Sequence, residues 1–204
     1  MKRVELNIGS PENVATAAEL CAASLQQPQA VLLVPTETVY GLVCRHDDRP
    51  AVERIYDLKA RSENKPLALF VASPQQLIDM GIQLPQSALK LAAAFCPGPV
   101  TLIVMGPDGK TVGFRIPDHP LILQLLKKVG FPLASTSANR SGRPNAMTVA
   151  QALAELDGQP DITVDSGPLP PDAQASTVID LSQGGWKILR EGPVSAADIE
   201  RILN

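Results

Sequence analysis

Aromatic side chains make up only 3% of the 204 residues. So thin a supply argues against a base-stacking surface of the kind that grips single-stranded RNA. Histidine is scarce as well, with His46 and His119 standing alone, and the three cysteines, Cys21, Cys44 and Cys96, lie far apart. No Cys/His spacing suits a metal, so no protein-held metal is expected. An odd, unclustered cysteine set fits packed or idle thiols in a reducing cytoplasm better than a disulfide framework. The chain has no run of about 18 apolar residues, and Met1-Lys2-Arg3-Val4-Glu5 lacks an apolar leader segment; a soluble, unexported, cytoplasmic protein with no membrane contact is expected. The net charge of −3 removes any global pull on polyanions, although a local basic groove remains compatible with it. Three familiar signatures are also missing: Gly-x-x-x-x-Gly-Lys-Ser/Thr, Gly-x-Gly-x-x-Gly and Gly-x-Ser-x-Gly. A nucleotide, if bound, must be held by dispersed side chains.

What is present suffices for one sizeable core. The hydrophobic content is 45%, and one domain over 1–204 is the default reading. Apolar spacing predicts helices over 13–25, 50–60, 86–95, 121–129 and 148–156, with short ones from Pro74 and Ser195. Ser73 is placed to cap the first of these short helices, and capping boxes are read at Thr148–Gln151 and Ser195–Asp198. Strands are expected over 30–35, 67–72, 101–105, 111–116, 132–136, 162–165, 176–181 and 186–190, with a turn at 106–109. Helices and strands mix without strict alternation, which predicts an α/β fold with a mixed sheet covered by helices.

Four polar segments stand out. Lys59 falls seven residues after Val52 and continues the apolar stripe of its helix, with Arg61 and Lys65 close behind. These cations suit a phosphorylated ligand, but a lysine snorkelling past a solvated helix end reads the same way. In Pro35-Thr36-Glu37-Thr38-Val39-Tyr40-Gly41-Leu42 the threonines offer hydrogen bonds after a buried strand, and a capped turn is the alternative. In the strand ending at Ile116, Val112, Phe114 and Ile116 share one face. Arg115 points to the other, beside the space left by Gly113, where it could grip a carboxylate or lie exposed. Ser135, Ser137 and Asn139 alternate, so they share a face for as long as the chain stays extended; an ordinary strand-to-turn transition is the competing account.

Taken in order, these segments resemble the YrdC-like family, whose characterised members are L-threonylcarbamoyladenylate synthases. The resemblance rests on Pro35–Leu42, Lys59-Ala60-Arg61 with Lys65-Pro66-Leu67, Pro97–Leu102, Arg115–Pro120, Ser137–Gly142, Ser176–Asp180 and Arg190-Glu191-Gly192. It implies a twisted sheet around a basic concave cavity and a reaction of L-threonine, bicarbonate and ATP that gives threonylcarbamoyl-AMP and pyrophosphate. The product would serve tRNA threonylcarbamoyladenosine formation through a separate transferase complex. The resemblance assigns Lys59, Arg61, Ser137 and Asn139 to catalysis. It places Arg61, Lys65, Ser137, Asn139, Asn145 and Arg190 around ATP, and Thr38, Arg115, Ser135 and Ser176 around threonine. Mg2+ is expected to travel with ATP, without an all-protein cage. Departures from the family pattern are Lys65 in place of Asn, Phe70 in place of His, Asn145 in place of Ser, a glycine-free segment before Ser176 and no additional C-terminal domain. A non-catalytic relative binding tRNA or double-stranded RNA in the same cavity is the main alternative, and a carbamoyl-transfer domain related to hydrogenase maturation is a third.

Overall fold

The computed structural model describes residues 1–60 and 66–204. Arg61 and Lys65 therefore lie outside the described residues. Ten strands form one mixed sheet among those described: β1 (Lys2–Glu5), β2 (Val31–Val34), β3 (Gly41–Arg45), β4 (Ala68–Phe70), β5 (Val100–Met105), β6 (Thr111–Arg115), β7 (Leu133–Ser137), β8 (Ile162–Asp165), β9 (Thr177–Asp180) and β10 (Lys187–Arg190). Their spatial order is β1-β8-β2-β3-β7-β4-β6-β5-β9-β10. Among the described residues seven helices pack on it: α1 (Pro11–Leu25), α2 (Arg49–Leu58), α3 (Pro74–Asp79), α4 (Gln86–Phe95), α5 (Pro120–Val129), α6 (Val149–Glu155) and α7 (Ala196–Leu203).

Local chemistry sets the helix ends. The Ser10 side chain accepts the Asn13 N–H ahead of α1, and Asp48 accepts the Ala51 N–H ahead of α2. Gly130, at φ +73°, closes α5 in the left-handed conformation behind Lys127 and Lys128. The box at Ser195 and Asp198 forms as expected. Two caps differ from expectation. Ser73 occupies the cap position of α3, but its side chain makes no cap bond; the Gln76 side chain instead accepts the Ala72 N–H. At α6 Thr148 accepts the Gln151 N–H as expected, but the Gln151 side chain reaches past the cap residue to the Met147 N–H, so the box is half formed. A long glutamine can choose among adjacent unpaired donors, and spacing alone does not select one.

Two strands, β1 and β3, go beyond those that sequence patterning predicts. β1 is a short, largely exposed edge strand whose alternation is masked by charged residues, paired in parallel with β8. β3 follows the Thr36–Tyr40 turn without a break and pairs antiparallel with β2 and β7.

Side-chain alternation divides the sheet into two unlike faces. On one face Leu33, Leu42, Ala134, Phe114, Leu102 and Ile179 bury against α2 and α6 and, further along, α3, α4 and α7. On the opposite face Leu32, Val34, Val43, Leu133 and Val164 lie under α1 and α5. That second layer stops near Phe70. The strands beyond it keep one face free of helix, and the cavity forms there.

Candidate active site

The cavity has a volume of about 290 Å³. Its floor is the alternate-residue set of the helix-free face: Ala68 and Phe70 from β4, Thr101 and Ile103 from β5, Thr111, Gly113 and Arg115 from β6, Ser135 and Ser137 from β7, Val178 from β9. Registers agree, since Arg115 pairs with Phe70, Phe70 with Leu133, and Ala68 with Ser135. Arg115 and Arg190 are the only charged side chains among the described lining residues, and the rest of the polar wall is hydroxyl. A Cβ at Gly113 would meet only ordinary contacts, so the missing side chain opens volume beside Arg115 and does not relieve a clash.

Arg115 is not the exposed arginine of the alternative reading; it is 5% exposed. Its Nε donates to Gly98 O at 3.1 Å and its Nη1 to Thr38 Oγ1 at 2.8 Å, and its Nη2 lies 2.7 Å from Glu37 Oε1. The Phe70 ring centre sits 5.8 Å from the guanidinium carbon. The hydroxyl protons around it can be traced. Thr36 Oγ1 donates to Val39 O at 2.7 Å, so in its 2.9 Å contact with Thr38 the proton must come from Thr38. Thr38 therefore has no proton left and offers the cavity an acceptor. Ser135 Oγ donates to Ala68 O at 3.0 Å and likewise retains only acceptor capacity. A ligand that donates from an amine or hydroxyl and presents a carboxylate to Arg115 complements this wall. The two readings of the Thr36 turn are compatible: it is a capped turn, and its threonines line the cavity.

Lys59 caps the C-terminus of α2 and is 1% exposed. It comes from the helix-covered face and reaches past the end of β7, where its Nζ donates to Ser137 O and lies 3.5 Å from Ser137 Oγ. The structure thus joins Lys59 to Ser137, residues 78 apart in the chain. Asn139 does not follow them into the cavity. β7 ends at Ser137, so the alternation lapses, and Asn139 turns inward to donate both amide hydrogens, to Arg140 O and Arg143 O. Asn145 is half-buried and is not part of the described cavity wall.

Ser176 and Arg190 form the opposite side. Ser176 Oγ lies 2.8 Å from Thr101 Oγ1, and Arg190 donates to Ser176 O through Nε and Nη2 and to Ser176 Oγ at 3.0 Å through Nη2. Arg190 reaches this face because β10 is bulged: Ile188 pairs with Ile179 and Arg190 with Val178, leaving Leu189 as the extra residue. Without the bulge Arg190 would share the core-facing side of Ile188. Burial, and then the charge of Arg115, pull the Arg190 guanidinium below the usual arginine range. Two cations that raise each other's energy across a cavity favour an anion between them.

Sequence reasoning assigns no role to Glu37, Thr101 or Thr111. Thr101 and Thr111 are legible as residues alternating with core positions of β5 and β6. Glu37 carries no such signal, because its partners come from distant loops. His119, the residue ahead of α5, is also buried, and its Nδ1 has no hydrogen-bond partner. Burial holds its imidazole below the usual 6.5, against the opposing charges of Glu37 and Asp118. The unfolded chain then binds more protons in the window below 6.5. The stability contributed by neutral His119 is full above that value and is lost as the pH falls through the lower folded pKa. Denaturant titrations from about pH 7 down to about pH 5 are expected to show a shallower loss of stability in His119→Gln than in the unsubstituted protein.

Among the described residues no helix is long and apolar enough to cross a membrane, and no three His, Cys, Asp or Glu side chains gather as metal ligands would.

Comparison with known proteins adds independent findings. The Sua5/YciO/YrdC family model, described as telomere recombination, matches residues 24–192. A Bacillus subtilis protein named threonylcarbamoyl-AMP synthase is 36% identical over 192 residues, covering 89% of this chain and 55% of the relative. A Mus musculus protein of the same name is 35% identical over 200 residues, covering 90% of this chain and 70% of the relative. The crystal structure of P. abyssi Sua5 complexed with L-threonine superposes with a TM-score of 0.83 at 30% identity, over 99% of this chain and 60% of that one. E. coli YciO shares the fold, with a TM-score of 0.79 at 23% identity over 97% and 98% of the two chains. The chain thus spans little more than half the length of the Bacillus relative and of the P. abyssi structure.

Proposed function

This chain belongs to the Sua5/YciO/YrdC family, and from that premise we propose that it is a nucleotidyltransferase making threonylcarbamoyl-AMP from L-threonine, bicarbonate and ATP. The observation that carries the reading is Arg115, buried at the floor of a hydroxyl-lined cavity with Thr38 and Ser135 presenting acceptors beside it. That arrangement receives an amino acid by carboxylate and amine together. L-threonine, with which P. abyssi Sua5 was crystallised, carries both groups.

The chemistry then follows from charge. The threonine amine adds to the carbon of bicarbonate, and water leaves to give a carbamate. A carbamate oxygen attacks the α-phosphorus, and the bond from that phosphorus to the bridging oxygen breaks to release pyrophosphate. The reacting groups are all anions, so positioning and neutralisation dominate the barrier. Lys59, with Ser137, marks the phosphate end, and Arg190 adds a cation from the opposite side of the cavity. Arg61 and Lys65, outside the described residues, keep the phosphate-binding role that the family resemblance assigns them. Asn139 contributes by shaping the loop through Arg143, and Asn145 stands beside that loop. Mg2+ would travel with ATP and supply charge neutralisation at the phosphates. The described wall would offer it hydroxyls and no carboxylate. The product is a substrate for tRNA threonylcarbamoyladenosine formation by a separate transferase.

The test is mass spectrometry of the adenylate formed from threonine, ATP and 13C-bicarbonate, with pyrophosphate release measured for each amino acid. Strict dependence on threonine and bicarbonate is expected. Salt-sensitive tRNA binding without pyrophosphate release would overturn the assignment.

A further inference from the structure

We infer that Glu37 is a positioning residue that fixes the Arg115 guanidinium and thereby shapes the seat for an amino-acid carboxylate; the inference rests on the reading of Arg115 above. Glu37 lies in the turn between β2 and β3, Arg115 at the end of β6, and Asp118 in the segment leading to α5. One carboxylate oxygen ties the three together. Glu37 Oε1 accepts the Asp118 N–H at 2.8 Å and lies 2.7 Å from Arg115 Nη2.

The contact with Nη2 is ionic and lies off the line of an N–H···O bond, for Nη2 is buried with no hydrogen-bond partner. Glu37 Oε2 is also buried without one. Buried polar atoms are rarely left in this state, and a cluster of them marks a place where geometry serves something other than stability. Here the consequence is specific. The charge of Glu37 holds the guanidinium in the orientation that it presents to the cavity. The remaining anchors of Arg115, Gly98 O and Thr38 Oγ1, are neutral and hold a flexible side chain less firmly. Glu37 is not part of the described cavity wall, so it acts through Arg115 and not on the ligand. Its side chain is 20% exposed, which keeps the pair from full water screening.

Glu37→Gln tests this. It is close to isosteric, keeps an oxygen for the Asp118 N–H and removes the charge. The KM for threonine is expected to rise by about 10-fold, as for a misplaced binding group, with kcat and the KM for ATP little changed. In the Arg115→Gln background the same substitution should add nothing, because its only route of action is gone. A second measurement needs no turnover: the Arg115 Nε–H, donated to Gly98 O, should lose protection from hydrogen exchange in Glu37→Gln. Retained protection, or additive effects in the double variant, overturns the inference. If the unsubstituted protein makes no adenylate from threonine, the proposed function fails, and the exchange measurement alone decides the role of Glu37.

Discussion

Arg115→Ala is expected to weaken threonine binding by about 1.5–3 kcal/mol, the range of a lost charged hydrogen bond, which is about 10- to 150-fold in affinity. The side chain sits where β6 places it, beside the space left by Gly113, and no other described cation lies on the floor of the cavity. Arg190 cannot substitute, because its guanidinium is committed to Ser176 at the side wall. The substitution has a second cost. Glu37, at 20% side-chain exposure, loses its counter-charge, and breaking such a pair destabilises by up to about 3 kcal/mol. Titration calorimetry with threonine and thermal unfolding of the same sample separate the two losses. Unchanged threonine affinity would remove Arg115 from the site.

Lys59→Met should act differently, leaving the fold intact and lowering turnover by about 10²-fold. Lys59 is as buried as the leucines around it, and methionine fills a similar stem volume without placing an ammonium in the interior. Its Nζ donates to Ser137 O at the edge of the cavity. The substitution therefore removes one positive charge held behind the cavity edge at Ser137 and one tie to the end of β7. A Tm equal to or above that of the unsubstituted protein, together with the fall in kcat, would locate the role of the ammonium in the reaction. Full activity in Lys59→Met would make the lysine a structural tie only. Circular dichroism melts and steady-state pyrophosphate release distinguish these outcomes.

The sequence alone carries the parts of this protein that depend on neighbours along the chain. α5 is legible from Pro120 at its start, the Leu121, Ile122, Leu125 and Leu126 stripe, and Gly130 at its end, because capping and amphipathic spacing act within a few residues. The direction of Arg115 is legible from strand alternation. The inward course of Lys59 follows from helical spacing, and the family itself is legible in the ordered motifs that span most of the chain.

Contacts between distant segments are decided only in three dimensions. Strict alternation would set Arg190 beside Ile188 on the core side; the bulge at Leu189 reverses it, and a bulge arises from pairing with β9. Alternation places Asn139 with Ser137, but β7 stops at Ser137, and Asn139 turns to its own loop instead. The Glu37 partner of Arg115 is invisible in the sequence because six strands and helices intervene along the chain, and no periodic rule connects a turn to the end of another strand. Short-range order is set by torsions, caps and spacing that each residue carries with it. The charge balance of the cavity is set by which strand ends the sheet brings together, and that is a property of the whole packed chain.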